Sequence, residues 1–153
     1  LTSQKIYDAF LSQSHGKNTF FHGHTYTGNQ LVCSVALENI NLFKKKHLIG
    51  HIQKTSQTLK QRLEALQPHK NIGDIRGRGL MYGVELVENK STQTPLDIPT
   101  VELIIRRCKE NGLMIRNLEN VITFVPILSM SNKEIKKMVK IFNKALHQTL
   151  GKK

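Results

Sequence analysis

The sequence predicts an α/β fold in which a small α+β sandwich follows a long helical arm. Apolar residues recur at helical spacing between residues 31 and 66, which predicts the arm. Short apolar runs bounded by glycine or proline then alternate with amphipathic stretches up to residue 150, which predicts the sandwich. The 153 residues suit one ordinary domain, or a small domain joined to part of another.

The first part of the chain is predicted to be helical, with one loop of interest. Helices are predicted at residues 6–11, from residue 30 to the basic run at 44–46, and at residues 48–66. A polar, glycine-containing loop follows the first of these helices at residues 14–18. Pro68 stops the arm, which we expect to be kinked at residues 47–50.

The second part is predicted to alternate strands and helices. The elements are a strand at residues 80–87, a helix at 101–111, strands at 113–116 and 121–125, and a helix from Ser131 to about Leu150. Gly112 ends the first helix, and Ser131 with Glu134 makes a capping box for the second. Residues 72–79 are interpreted as a tight strand entry, 88–99 as a surface loop and 118–120 as a turn.

The composition limits the function classes. The formal net charge of +12 raises the hypothesis of a basic nucleic-acid-binding module, but the lysines are scattered and lack interleaved aromatic residues, which favours solvated helix faces. The sequence contains no apolar run of about 18 residues, so no membrane span is predicted. Cys33 and Cys108 are interpreted as two reduced thiols, one or both of them buried.

The loop at residues 22–29 has the composition of an anion-binding site. Two glycines and two threonines stand just before a helix, where backbone N–H groups and hydroxyls can hold a phosphate. The alternative is an ordinary turn in which Thr27 or Asn29 caps the helix. His22 and His24 could ligate a metal, but no third ligand stands at a suitable spacing, so no metal site is predicted.

Two further segments carry candidate binding groups. Residues 73–79 are glycine-rich but lack the Lys-Ser/Thr ending of a P-loop, so we expect a structural role with Asp74 and Arg76 in contacts. Arg116 ends a predicted strand, where a guanidinium can hold a carboxylate through two parallel hydrogen bonds, or can simply be exposed. No nucleophile elbow or Ser-His-Asp order is present.

Four blocks, taken in order, resemble the class III aminotransferases, which belong to the fold type I group of pyridoxal-phosphate enzymes. The blocks are FHGHTYTGN at residues 21–29, GDIRGRGLMYGVEL at 73–86, GLMIR at 112–116 and VITFVPIL at 121–128. The resemblance covers nearly the whole chain. It implies that residues 1–29 are the tail of the large cofactor domain, 30–68 the connecting helices and 69–153 the C-terminal small domain.

The resemblance also implies site residues. Thr25 matches the threonine that binds the cofactor phosphate of the partner subunit across a homodimer interface, with His24 beside it at the cofactor and Gly23 beside it at the substrate. Arg116 matches the arginine that holds the carboxylate of the amino acceptor. The cofactor implied is pyridoxal 5'-phosphate.

Within the family, the first block is most similar to the branch that serves biotin biosynthesis. That branch transfers an amino group from S-adenosylmethionine to 7-keto-8-aminopelargonate in the cytoplasm. The Schiff-base lysine of the family is absent from this chain, so we expect a C-terminal piece that is inactive alone and contributes no catalytic residue. The alternatives are another class III enzyme that uses ω-amino acids and, in a different class, the basic nucleic-acid-binding module.

Overall fold

The computed structural model describes residues 2–11, 18, 23 and 25–151. Clustering of contacts divides the chain into two compact units, Leu1–Asn41 and Leu42–Lys153. Five helices and five strands are present in the described part of the chain. They are α1 (Gln4–Ala9), α2 (Gln30–Lys45), α3 (Leu48–Glu64), β1 (Ile72–Arg78), β2 (Met81–Asn89), β3 (Thr94–Pro95), α4 (Ile98–Glu110), β4 (Arg116–Leu118), β5 (Val121–Phe124) and α5 (Asn132–Leu150). This mixture of helices with one sheet confirms the predicted fold class.

The first unit contains α1 and the beginning of α2. Helix α1 begins two residues earlier than predicted, because the hydroxyl of Ser3 accepts the backbone N–H of Ile6 at 3.4 Å and so caps the helix. Helix α2 begins at Gln30, in agreement with the prediction. The predicted loop at residues 14–18 lies outside the described residues except for Asn18.

The predicted kink between α2 and α3 is confirmed. His47 separates the two helices and has a left-handed backbone conformation with φ of 46°. This conformation breaks the helical hydrogen-bond ladder without a proline. Helix α3 ends at Glu64, before Pro68, and buries Thr55, Leu59 and Leu63.

The sheet of the second unit is antiparallel, with strand order β1-β2-β5-β4 and with β3 paired to β2. Residues 72–78 form a complete strand, β1, in a hairpin with β2, so the segment predicted to be only a strand entry is itself a strand. Their three glycines hid the strand, since glycine leaves no alternating pattern. Gly79 makes the hairpin turn with φ of +62°, a conformation that glycine adopts without strain.

Strand β4 is displaced from its predicted position at residues 113–116. The N–H of Leu113 donates to the carbonyl oxygen of Cys108 at 2.9 Å, so residues 112 and 113 close the end of α4. Pairing with β5 then begins at Arg116 and continues to Leu118, which was predicted to be in a turn. Arg116 therefore begins the strand that it was predicted to end.

Helix α4 begins three residues before its predicted start. The carboxylate of Asp97 accepts the N–H of Thr100 at 2.9 Å and caps the helix at Ile98. Pro99 belongs to the first turn, where its missing N–H costs no hydrogen bond, although we predicted it as the end of a loop. The short strand β3 also lies within that predicted loop.

The core of the second unit lies between the sheet and helices α3, α4 and α5. It is built from the even-numbered positions of β2 and β5, from the apolar stripes of the three helices and from Ile72, Leu80 and Leu96. The largest fully buried side chains are Phe124, Phe142, Leu59, Leu63, Ile72, Leu86, Ile104, Ile122, Ile135, Leu146, Val84 and Val87. Phe124 and Phe142 meet edge to face, with ring centroids 5.2 Å apart.

The predicted capping box of α5 is confirmed and yields a stability prediction. The hydroxyl of Ser131 accepts the N–H three residues on, at 3.3 Å. We expect Ser131→Ala to lower the free energy of unfolding by about 1 kcal/mol, because the helix loses one satisfied N–H. Urea unfolding measures this change. The exposed Ser129, which caps no helix, supplies the control: a loss of the same size in Ser129→Ala would contradict the capping role.

Candidate functional site

The predicted anion loop is described for Gly23 and for residues 25–29. His22 and His24 lie outside the described residues, so the cofactor role of His24 stays a prediction. Thr25 is exposed, and a methyl group added at Gly23 would meet no atom of the described residues within 4 Å. The loop is thus open to a ligand that arrives from solvent or from another chain.

The end of this loop caps helix α2. The side-chain oxygen of Asn29 accepts the N–H of Val32 at 3.1 Å, and Gly28 precedes it with φ of +75°. The predicted alternative of a capping turn at Asn29 is confirmed, and it does not exclude an anion. Because Asn29 already satisfies Val32, an anion here would be held by the hydroxyl of Thr25 and by other backbone N–H groups of the loop.

Arg116 lies in the second unit, whereas Gly23 and Thr25 lie in the first, and each is described within its own unit. Arg116 faces Thr123 across the β4–β5 ladder, and the hydroxyl of Thr123 donates to the carbonyl oxygen of Arg116 at 3.1 Å. The Arg116 side chain is exposed. Within the described ranges, it has no carboxylate within the 4.0 Å of an ion pair, so its charge is available to a ligand.

A surface cleft of about 650 Å³ opens beside Arg116. Its lining residues come from the end of α4 through β4, from β5 and the segment after it, and from α5. They are Leu113, Met114, Ile115, Arg116, Thr123, Phe124, Val125, Pro126, Ile127, Met130 and Met138. Arg116 supplies the only charge and Thr123 the only other polar side chain among them. The cleft therefore matches a ligand with one anionic group and an apolar body.

Arg116 belongs to a row of residues on the sheet face opposite the core. The register pairs Arg76 with Gly83, Gly83 with Thr123, and Thr123 with Arg116, so all four lie on one face, which we call the outer sheet face. Gly83 has no side chain, and Thr123 is small. The middle of the row therefore has only small side chains, and the two arginines lie at its ends.

The other arginine of this row, Arg76, forms ion pairs with carboxylates of the same chain. Its guanidinium forms ion pairs with Glu85 and, at 3.0 Å, with Asp74. The hydrogen bonds that its guanidinium donates to Glu85 and then to Asp74 raise the pKa of Arg76 above its ordinary value. The predicted structural role of Asp74 and Arg76 is confirmed, and the sequence had not indicated Glu85 as their partner. Arg116 is thus the arginine of this row that can hold a ligand.

A second surface groove lies along α5, in the same unit as the cleft beside Arg116. Its volume is about 660 Å³, and its lining combines lysines with amides and one histidine. The residues are Asn111, Lys137, Lys140, Ile141, Asn143, Lys144, His147 and Gln148. The part of α5 that lines the groove therefore carries three lysines, which leaves the nucleic-acid hypothesis open to a binding test.

The remaining sequence predictions concern metals, thiols and membranes. In the described residues, no group of three His, Cys, Asp or Glu side chains could hold a metal ion. Cys33 is exposed and Cys108 buried, and burial raises the pKa of the Cys108 thiol to about 11, which keeps it protonated and unreactive. None of the helices described here is both long and apolar enough to cross a membrane.

Comparison with known proteins places these features in a family. The profile of the family Aminotransferase class-III matches residues 1–146. The chain is 69% identical, over all of its 153 residues, to the adenosylmethionine-8-amino-7-oxononanoate aminotransferase of Staphylococcus aureus, and it covers 34% of that protein. The protein of the same name from Geobacter sulfurreducens is 37% identical over 99% of the chain, again with 34% of its own length covered.

Solved structures agree with the sequence matches. The crystal structure of the adenosylmethionine-8-amino-7-oxononanoate aminotransferase of Methanocaldococcus jannaschii superposes with a TM-score of 0.77 and 36% identity, over 97% of this chain and 34% of that one. An omega transaminase of Pseudomonas jessenii gives a TM-score of 0.78 at 29% identity, over 87% of this chain and 31% of the other. The chain thus spans about a third of the length of these relatives. It belongs to the class III aminotransferase family.

Proposed function

We propose that this chain is the C-terminal part of a pyridoxal-phosphate-dependent aminotransferase of biotin biosynthesis. The enzyme transfers an amino group from S-adenosylmethionine to 7-keto-8-aminopelargonate, which is 8-amino-7-oxononanoate. The observation that carries the proposal is the 69% identity, over the whole chain, to a relative with that name. The apolar cleft that Arg116 lines supports the proposal, because the acceptor is a carboxylate on an aliphatic chain.

The loop before α2 fits the phosphate of the cofactor. An exposed Thr25 and an open approach at Gly23 suit an anion that comes from a partner subunit. We assign Thr25 to the phosphate, His24 to the cofactor beside it and Gly23 to the substrate. Pyridoxal phosphate, when bound, supplies the electron sink that amino-group transfer needs. In this proposal, residues of this chain hold the cofactor across a homodimer interface, and the enzyme works in the cytoplasm.

Arg116 has the role of positioning the acceptor. Two parallel hydrogen bonds from its guanidinium to the acceptor carboxylate fix the distance between that carboxylate and the reacting ketone. The hydroxyl of Thr123 holds the backbone of Arg116 in place. In this proposal, residues 1–29 are the tail of the cofactor domain, 30–68 the connecting helices and 69–153 the small domain.

An ω-amino acid aminotransferase is the second candidate. It is favoured by the 34% identity, over 152 residues, to a protein named probable gamma-aminobutyrate transaminase 4 of Oryza sativa. The two functions differ in their substrates, which can be supplied one at a time. The full-length enzyme should aminate 8-amino-7-oxononanoate when S-adenosylmethionine is the donor. Turnover with ω-amino acids alone would favour the second candidate instead.

The phosphate role of Thr25 is tested by cofactor retention. In the full-length enzyme, we expect Thr25→Ala to raise the dissociation constant of pyridoxal phosphate by about tenfold or more, because one hydrogen bond to a charged group is lost. Cofactor absorbance after dialysis measures the occupancy. Thr27→Ala, in the same exposed loop, is the matched control and should retain the cofactor. Equal retention by both variants and the unchanged enzyme would contradict the role.

Binding of nucleic acid is expected to be weak. The lysines of the α5 groove give any polyanion a nonspecific attraction that falls as salt is raised. Fluorescence anisotropy with DNA and RNA of several sequences checks this expectation across salt concentrations. Tight binding that prefers one nucleic acid would instead support the basic binding module.

A further inference from the structure

We propose that Asn111 and Gly112 form a site of spontaneous covalent modification, at which Asn111 loses its side-chain amide, and that Lys144 slows this reaction. The backbone nitrogen of Gly112 attacks the side-chain carbonyl carbon of Asn111, the proton of that nitrogen leaves with the amide as ammonia, and a succinimide ring closes. Water then opens the ring at either carbonyl, which gives isoaspartate or aspartate. No other reactant is needed, and the inference does not depend on the proposed function.

The residue after Asn111 is the one that favours ring closure. Asn111 is the only asparagine of the chain that precedes a glycine. Every other asparagine precedes a residue whose side chain crowds the attacking nitrogen, whereas glycine has no side chain and the widest conformational freedom. Gly112 is also exposed, so water and hydroxide reach its N–H group. The position therefore combines a reactive pair of residues with access to solvent.

The end of helix α4 requires a glycine at this place. Asn111 is the last residue of the helical turn, and Gly112 follows it with φ of +84°, a conformation in which a side chain is strained. The chain then continues through Leu113 to β4. A larger residue at position 112 would slow the ring closure but would also disturb the helix end. Isoaspartate at position 111 would add one carbon to the backbone between α4 and β4.

Hydrogen bonds engage both reacting groups in the folded chain. The side-chain amide of Asn111 donates to the carbonyl oxygen of Arg107 at 2.7 Å, and its oxygen accepts from Nζ of Lys144 at 2.7 Å. The attacking nitrogen of Gly112 donates to the carbonyl oxygen of Lys109 at 2.9 Å. Ring closure therefore requires the end of α4 to open locally, and its rate follows the population of the open form.

Lys144 makes the contact of this set that comes from another helix. It belongs to α5 and lies 33 residues from Asn111 in the chain, so its hydrogen bond joins the end of α4 to α5. Because Lys144 is exposed, this bond is only of modest strength. Its loss should raise the population of the open form, and with it the rate of amide loss, about two- to tenfold.

The test incubates the full-length holoenzyme at mildly alkaline pH and follows each asparagine by peptide mapping with mass spectrometry. We expect Asn111 to be converted, but more slowly than in a synthetic peptide of residues 106–116, and Asn117, which precedes leucine, to stay intact. Lys144→Ala should raise the rate at Asn111 about two- to tenfold. Lys140→Ala is the matched control, because Lys140 is exposed and lines the same groove but is not bonded to Asn111 in the described chain.

Lys144→Arg, which keeps a cationic donor, should bring the rate back towards that of the unchanged enzyme. An Asn111 that stays intact in the enzyme and in Lys144→Ala, over many half-lives of the peptide, would overturn the assignment of the site. Conversion as fast as in the peptide, or a rate in Lys144→Ala no higher than in Lys140→Ala, would overturn the role of Lys144. Failure of the proposed function is seen separately, as absence of turnover with S-adenosylmethionine and 8-amino-7-oxononanoate.

Discussion

Arg116→Ala is expected to raise the KM for the keto acid acceptor about tenfold to a hundredfold in the full-length enzyme. The reason is the loss of a charged hydrogen-bonding partner, which is worth about 1.5–3 kcal/mol. Because no carboxylate of the described chain neutralises Arg116, its removal leaves no unpaired acid in the protein. The substitution should therefore weaken binding of the acceptor carboxylate and leave the stability of the fold unchanged.

Steady-state kinetics with varied acceptor and saturating amino donor measure this effect, and the KM for the donor should change little. Arg116→Lys should give an intermediate value, since it keeps the charge but loses the two parallel hydrogen bonds. Arg78→Ala is the matched control, because Arg78 is an exposed arginine of the same sheet that does not line the cleft. An acceptor KM that is the same in Arg116→Ala and Arg78→Ala would remove Arg116 from the site.

Gly77→Ala is expected to lower the free energy of unfolding by about 1–3 kcal/mol or more, as overpacking does. A methyl group at residue 77 would overlap the carbonyl oxygen of Met81 and would come within 2.7 Å of the Cα atom of Tyr82. Both are backbone atoms of the paired strand. Neither can rotate away, so β1 and β2 must separate.

Urea unfolding compares this variant with Gly50→Ala. Residue 50 lies in helix α3, where a methyl group would meet no atom within 4 Å outside its own helical turn in the described part of the chain. Alanine there should therefore be neutral or stabilising by about 1 kcal/mol. If Gly77→Ala is as stable as Gly50→Ala, then close packing of β1 against β2 does not require this glycine.

The sequence predicted best those features that depend on residues close together along the chain. The capping box at Ser131, the helix end at Gly112 and the stop before Pro68 each depend on a few consecutive residues, and all three are confirmed. Helix α4 shows the limit of the same reasoning. Asp97 and Pro99 are good signals for a helix start, but they were assigned to a loop because the surrounding residues are polar.

Strand pairing could not be predicted in the same way. Glycines hid β1, whose identity as a strand depends on hydrogen bonds to β2. Strand β4 begins three residues later than predicted, because the end of α4 uses the backbone of residues 112 and 113. In both places, the outcome depends on a partner segment, and a local pattern contains no information about its register.

The sequence by itself determined the family, the order of the helices and the candidate residues Gly23, Thr25 and Arg116, because these rest on short motifs and local hydrogen bonding. Tertiary structure alone decided what surrounds Arg116. The register that places Thr123 against it, the carboxylates that occupy Arg76 and the apolar wall of the cleft all join residues far apart in the chain. A free arginine and an occupied one look alike in a sequence, and only folding brings the carboxylates to one of them.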